Sequence, residues 1–208
     1  MRIGIIGAGK IGGTLAELWA KAGHQVAIAN SRGPDSLKDL VESIGTSARA
    51  MTVEDAANFG EVVLLAVPFR RPEALPAAVL LAGKVVIDAM NPHAEDGGLL
   101  DLGGKTSSEV TAERLPGARL VKAFNTIHSD TLRTAGRPAM PEAQRFVVFL
   151  AGDDGRAKQR VAALIREAGF AAIDTGSLAI GGRLMEPGSA IYNRPMLQPE
   201  ARDVIATM

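Results

Sequence analysis

Ile3-Gly4-Ile5-Ile6-Gly7-Ala8-Gly9-Lys10-Ile11-Gly12 opens the chain, and the reading of this stretch decides the fold. An apolar strand pattern runs into a glycine string of the form GxGxxG, and an amphipathic helix pattern leaves it. Such a string alone is a weak signal; between a strand and a helix it is a strong one. Gly7 permits the tight turn, Gly9 lets a pyrophosphate approach the backbone, and Gly12 lets the helix pack close to the strand. Lys10 and Ile11 begin that helix, whose free N–H groups and positive dipole end are set to hold phosphates. A tight strand–helix turn with no ligand is the blander alternative, and this context disfavours it.

The second strand, about Gln25 to Ala29, closes on Asn30-Ser31-Arg32-Gly33. NAD-binding chains usually carry a carboxylate about 20 residues beyond the glycines, to accept from the ribose 2′-hydroxyl. None stands here. Arg32 can instead pair with a 2′-phosphate, with Ser31 and the following backbone donating hydrogen bonds. Pro34 suits the first turn of the next helix, whose N-terminus adds a second anion-friendly dipole. The expected cofactor is therefore NADP, with an ordinary solvated role for Arg32 as the alternative.

Working outward, strand and helix signals alternate with little slack. Ile11, Leu15, Leu18, Trp19 and Ala22 form an apolar helix stripe stopped by Gly23, and Leu37, Leu40, Val41 and Ile44 form another stopped by Gly45. Thr52-Val53-Glu54-Asp55 reads as a capped helix start. Glu61 to Val67, ending at Pro68, is a continuous apolar run typical of a strand buried on both faces. A Pro- and Ala-rich helix is expected next, then a strand over Lys84 to Asp88 and an irregular stretch from Asn91 to Lys105. Thr106-Ser107-Ser108-Glu109 opens a helix ending near Pro116-Gly117. Later strands are expected over Leu120 to Phe124, Phe146 to Ala151 and Phe170 to Asp174, with a helix from Asp153 to Ala168 capped by Asp153 and stopped by Gly169. This alternation predicts one Rossmann-type α/β domain over residues 1–208: a doubly wound, mostly parallel sheet with a short C-terminal extension.

Composition fits that domain. The 208 residues suffice for a real core, and 23 basic side chains balance 23 acidic ones, so neither a nucleic acid nor an anionic membrane surface is implied. No apolar stretch approaches the roughly 20 residues that span a bilayer. Cysteine is absent, which removes disulfides, thiolate metal sites and cysteine nucleophiles together. Without a basic-then-apolar leader, the expected compartment is the cytoplasm.

Several segments together resemble a known family. Gly7 to Gly12, Ala29 to Arg32, Ala66-Val67-Pro68, Lys122-Ala123-Phe124-Asn125-Thr126-Ile127, Gly152-Asp153-Asp154 and Asp174 to Leu178 look like the NADPH-dependent deazaflavin reductases, in which NADP exchanges hydride with coenzyme F420. The NADPH-binding domain of the six-transmembrane metalloreductases is similar too. The resemblance implies direct hydride transfer between stacked rings. By it, Ser31 and Arg32 would hold the 2′-phosphate, Ala66, Val67 and Pro68 would run beside the nicotinamide half, and Asn125, Thr126 and Ile127 would lie where the rings stack. Asp88-Ala89-Met90-Asn91-Pro92-His93 departs from the Asn-Asn-Tyr-like stretch of close relatives, so the resemblance speaks to the cofactor more than to the acceptor.

The remaining candidates carry bland readings beside the functional ones. Pro68, Asn91, His93, Asn125, Thr126 and His128 all follow predicted strands, the side on which open sheets bind ligands. His128 and Asn125 are the candidates for a catalytic role, though His128 can equally sit solvated on a rim. His24 reads as a surface turn residue, Asp88 as a cap of nearby backbone N–H groups, and Asp153 with Asp154 as helix caps. No His, Asp and Glu set has metal spacing, and Ser107-Ser108 lacks a Ser–His–Asp context. β-Hydroxyacid dehydrogenases and imine reductases with similar N-terminal halves add a long helical domain; only 34 residues follow Asp174, broken by glycines and prolines. The acceptor is thus expected in an open cleft suited to a flat ring, either a deazaflavin, a flavin or a ferric chelate. The tail 176–208, with Leu184, Met185, Ile191 and Tyr192, is expected to cover that cleft or to pair with a second subunit in a homodimer. A non-catalytic NADPH-sensing module is the alternative from another class.

Overall fold

The computed structural model describes residues 1–208. Eight strands form one sheet in the order β3-β2-β1-β4-β5-β6-β7-β8: β1 Arg2–Ile6, β2 Gln25–Ala29, β3 Ala48–Ala50, β4 Val62–Leu65, β5 Val85–Asp88, β6 Arg119–Ala123, β7 Val147–Gly152 and β8 Ala171–Gly176. Strands β3 to β6 in that order are all parallel; β7 runs antiparallel to β6, and β8 is parallel to β7. The order reverses between β1 and β4, so a crevice opens there at the carboxyl ends of the strands. The expected doubly wound, mostly parallel α/β fold is the observed one.

Helices cover both faces. On one lie α1 Lys10–Lys21, α5 Ser129–Ala135 and α6 Gly155–Glu167, packed on a core that includes Ile3, Ile5, Leu64, Val121 and Leu150. On the other, α3 Val53–Phe59 and α4 Ser107–Arg114 lie over Ile6, Val63, Leu65 and Val86, while α2 Lys38–Ile44 flanks the β3 edge. The buried Trp19 of α1 joins several elements. Its Nε1 donates to the Leu164 carbonyl of α6 at 3.0 Å, and its ring meets Phe124 edge-on at 5.8 Å.

Two buried polar groups anchor the C-terminal part. Lys122 is completely buried, and its Nζ donates to Ser107 Oγ at 2.6 Å. Ser107 in turn donates its hydroxyl and its backbone N–H to Glu186 Oε1, at 2.7 and 2.8 Å. The Glu186 carboxylate thereby sits at the N-terminus of α4, where the dipole favours negative charge. Beside it, Asp88 accepts from Ser108 Oγ and from the Met90 N–H, so this carboxylate caps backbone as expected and also ties α4 to β5. The tail carrying Glu186, with α7 Gly181–Leu184 and α8 Gln198–Ala206, packs Met185, Ile191, Met196 and Ala201 onto β7 and β8 within the same chain.

Four local expectations are corrected. The Pro- and Ala-rich stretch after Pro68 forms 3-10 turns at Pro72–Ala74 and Ala78–Leu80, not a helix. Pro72 and Pro76 bias Arg71 and Leu75 away from helical backbone, and Leu75 takes an extended ψ of 145°. The cap of α6 is Asp154, accepting from the Ala157 N–H, while Asp153 accepts from the Leu178 N–H and ties down the tail. His24 is not a surface residue: it is 6% exposed, with Nδ1 3.2 Å from the Met1 amine and Nε2 2.8 Å from Glu167. The short edge strand β3 has no counterpart in the pattern reading.

Removing one partner from a buried ion pair strands the other charge, at roughly 3–5 kcal/mol. Lys122→Met should therefore lose about that much in urea unfolding, and the Lys122→Met/Glu186→Gln double variant should lose less than the sum of the singles. A Lys122→Met midpoint equal to wild type would show that the ammonium does not hold the tail to the sheet.

Candidate functional site

The glycine loop is shaped by what cannot fit in it. Gly7 adopts φ +107°, and a Cβ there would collide with the Ala66 carbonyl of the neighbouring strand end. A Cβ at Gly12 would collide with the Gly7 carbonyl. At Gly9 the opposite holds: nothing lies within 4 Å of where a Cβ would stand. Helix α1 begins just beyond, with Gly9 as its N-cap and no side chain capping its first N–H groups. Open space in front of free, outward-facing N–H donors is the condition for an anion at a helix N-terminus.

A cleft of about 810 Å³ lies over this loop, with Gly7, Gly9, Asn30, Ser31, Gly33, Pro34, Ala66, Val67 and Pro68 on its walls. Asn30 shapes the turn after β2: its Oδ1 accepts from the Arg32 N–H at 2.9 Å, and its Nδ2 donates to Ser36 Oγ at 2.9 Å. Arg32 itself is exposed, stands between the wall residues Ser31 and Gly33, and its guanidinium has no protein partner. The far wall holds residues that pattern reading missed. Arg70, Arg71, Glu73 and Leu75 come from the turns after β4, and Thr52, Val53 and Glu54 from the start of α3. Arginine directly after Ala66-Val67-Pro68-Phe69 was the available signal, hidden by the expectation of a helix there.

A second cleft of about 330 Å³ continues from the first, and Gly9 and Ala66 line both. Lys10, Ile11, Asn91, Asn125, Ile127 and His128 stand on its walls, with Phe124, Tyr192 and Asn193. Of the predicted residues here, Thr126 is turned away: it is buried, its carbonyl accepts from the Asn193 N–H, and it borders a separate small crevice. Gly12 is likewise buried and acts through packing.

The floor of the second cleft is a reciprocal amide pair. Asn125 Nδ2 donates to Asn91 Oδ1 at 3.0 Å, and Asn91 Nδ2 donates back to the Asn125 carbonyl at 3.0 Å. Asn125 Nδ2 also donates to the Met185 carbonyl at 2.8 Å, so the tail orients this amide. That leaves Asn125 Oδ1 buried and without a partner, an acceptor that a bound amide N–H would satisfy. The turn that brings Asn125 here is made by Phe124, a buried non-glycine residue at φ +65°, a conformation costing on the order of 1–3 kcal/mol.

Tyr192 reaches the same cleft from the tail. Its hydroxyl accepts from Asn91 Nδ2 at 3.3 Å and lies 3.3 Å from His93 Nε2. Burial pushes its phenol above the ordinary value, with the Glu186 charge adding to the rise and the Asn193 contact opposing it. His128, exposed on the rim, caps α5: its Nδ1 accepts from the Asp130 N–H at 3.3 Å. Ser107 and Ser108 lie in the buried network beneath, with lysine and carboxylate partners and no histidine. No helix of the structure is long and apolar enough to cross a membrane.

Comparison with known proteins agrees with this geometry. Residues 2–92 match the family described as NADP oxidoreductase, coenzyme F420-dependent. The rat metalloreductase STEAP3 is 31% identical over 179 residues, which is 86% of this chain and 34% of that protein. The chain thus spans about a third of the length of the curated relatives it matches. Among solved structures, a hypothetical protein from Sinorhizobium meliloti superposes with a TM-score of 0.82 at 35% identity, covering 95% of both chains. A protein from Arthrobacter sp. FB24, described as an F420-dependent NADP reductase, superposes with a TM-score of 0.72 at 27% identity, covering 85% of both. The N-terminal part of the chain, residues 2–92, thus carries the pattern of the coenzyme F420-dependent NADP oxidoreductase family.

Proposed function

We propose that this protein binds NADPH along the two joined clefts and transfers its hydride to a flat ring acceptor, with the deazaflavin coenzyme F420 as the acceptor. The observation that carries the reading is the continuity of the clefts at Gly9 and Ala66. An adenosine and pyrophosphate half, over the glycine loop, leads directly into a polar half large enough for rings. The residues present fit the cofactor on two counts: the void in front of Gly9 admits a phosphate, and the orphaned Asn125 Oδ1 suits a carboxamide N–H. Arg32, unpartnered beside Ser31, is free to take a 2′-phosphate.

When bound, NADPH supplies a hydride from its reduced nicotinamide. The chain's part is placement: the α1 N-terminus fixes the phosphates, Asn125 orients the nicotinamide amide, and Ile127 with Phe124 backs the ring site. Placement of two rings at roughly 3–3.5 Å accounts for most of the rate in such transfers. A second reading, reduction of a flavin or ferric chelate, is favoured by the similarity to the metalloreductase over 86% of this chain. We infer a cytoplasmic homodimer as the working state.

Gly9→Val should abolish dinucleotide binding with the melting transition intact, since its side chain meets only the open space reserved for phosphate. Retained affinity in such a folded variant would remove the glycine-loop assignment.

Arg32→Ala should weaken NADPH binding by about 1.5–3 kcal/mol, the range for charge-assisted hydrogen bonds, and leave NADH binding nearly unchanged. Equal losses for both cofactors in a titration would show that Arg32 does not read the 2′-phosphate.

NADPH oxidation should be measured against a panel of deazaflavin, flavin and ferric-chelate acceptors, with deuterium at either face of the nicotinamide carbon. Label from one face should be found in the reduced deazaflavin, whose accepting atom is a carbon. Label released only to water would exclude direct transfer, and NADPH binding without turnover of any acceptor would favour a sensing module.

A further inference from the structure

Hydride transfer leaves the acceptor one proton short, and the second cleft contains a group placed to supply it. Tyr192 lines this cleft beside Asn125, and two side-chain nitrogen atoms face its phenolic oxygen, one from Asn91 on the cleft wall and one from His93 in the same loop. Asn91 Nδ2 donates to that oxygen at 3.3 Å; His93 Nε2, at 3.3 Å, donates in the tautomer that carries its proton there. In that tautomer both nitrogens donate, as does the Asn193 contact, and the phenolic hydrogen is left free to donate into the cleft that the ring lines. His93 is exposed, so the pair connects the cleft to solvent.

We propose that Tyr192 is the catalytic residue that protonates the reduced acceptor, and that His93 returns the proton from solvent. The inference rests on the hydride-transfer reading above. The balance is simple. The acceptor ring gains two electrons and one hydrogen from NADPH, and the negative charge left on a ring nitrogen takes the Tyr192 proton as the O–H bond breaks. The phenolate, held by the donors Asn91 and His93, regains a proton from His93 Nε2, which draws one from water. The sum is NADPH plus acceptor plus one proton giving NADP⁺ and reduced acceptor.

The charge environment keeps the donor loaded. Glu186 and the burial of the ring both favour the neutral phenol, against the Asn193 contact, so Tyr192 stays protonated through neutral pH. Asn91 and His93 face it from the loop after β5, and Lys10 and His128 line the same cleft from α1 and the α5 cap. A raised folded value means that donor capacity is complete at neutral pH and is lost only as pH rises through the phenol's own titration.

One tyrosine in the whole chain makes this testable without ambiguity. Tyrosinate absorption in the near ultraviolet, followed against pH, reads Tyr192 alone and should appear above the ordinary value of about 10. The alkaline fall of kcat should coincide with it. Tyr192→Phe should lower kcat about 100-fold, the lower end for a lost general acid, remove that alkaline limb, and keep NADPH Kd within about twofold. His93→Gln should lower kcat less, with the tyrosinate titration still present. A Tyr192→Phe enzyme with wild-type kcat and an unchanged alkaline limb would overturn the inference and leave hydride transfer standing. If Tyr192→Phe does not fold, an alkaline limb in the wild type that departs from the tyrosinate curve overturns it, and coincidence of the two with a slowed His93→Gln supports it. A wild-type protein that binds NADPH and reduces no ring acceptor overturns both readings at once.

Discussion

The close contact between the start of α1 and the end of β1 is the constraint on which the rest depends. It exists only because Gly12 lacks a side chain, whose Cβ would strike the Gly7 carbonyl, and Gly7 must itself be bare to lie against the Ala66 carbonyl at the end of β4. With the helix docked this tightly, its N-terminus is carried over the crevice between β1 and β4, and its length delivers Trp19 to the far side of the core. There Trp19 takes the Leu164 carbonyl and the edge of Phe124. Phe124 is held at φ +65°, and that turn swings Asn125 under the second cleft. The two clefts are therefore coupled through one rigid helix. Strain at Phe124, on the order of 1–3 kcal/mol, persists because the ring is fixed in the core by packing worth more than that.

Tyr192 and Asn193 of the tail build another wall of the second cleft, and the tail's attachment is polar. Asn125 donates to Met185, Asn193 donates to Thr126, and Glu186 reaches Lys122 through Ser107. Apolar packing of Met185 and Ile191 on β7 and β8 supplies adhesion, but it tolerates sliding by a fraction of a side chain. The buried hydrogen bonds do not, because a displaced partner leaves an unsatisfied group in a low-dielectric interior. The tail thus holds Tyr192 in register with Asn91 and His93, although it contributes no strand to the sheet.

Where pattern and physics coincided, the chain was legible from its residues. Apolar runs mark β1, β2 and β4 to β8, a period-3.6 stripe marks α1, a cap and a terminal glycine mark α6, and Thr52 and Thr106 both cap the helices their spacing implies. Failures came where a long-range partner or a backbone detail decided the outcome. Gly23-His24 reads as an exposed turn, but Glu167 and the Met1 amine enclose the histidine from distant parts of the chain. Asp153 and Asp154 are indistinguishable as caps by composition; only the Leu178 N–H, 25 residues on, claims the first of them. The prolines at 72 and 76 outweighed the alanines around them. For the site, the strand-end rule names Asn91, Asn125 and His128, which line one cleft; Tyr192 arrives there from the tail expected over it, while no local rule points to the outward turn of Thr126.

The two halves of the cleft differ in how far the comparisons reach. The family match runs over residues 2–92, which contain the glycine loop, the turn after β2 and the wall from Ala66 to Leu75. These parts present backbone N–H groups, open space and arginine, the chemistry that suits phosphates and adenosine whatever the acceptor. Of the second cleft's walls, Asn125, Ile127, His128 and Tyr192 lie beyond the matched stretch, while Lys10, Ile11, Ala66 and Asn91 lie within it. The second cleft is therefore built by both parts of the chain, and it meets the first at Gly9 and Ala66. The first cleft depends less on the tail than the second does, since α1 is positioned by its glycines and by Trp19. It follows that the acceptor must be argued from the amide pair, the phenol and the histidines in this cleft, not from the glycine loop that identifies the fold.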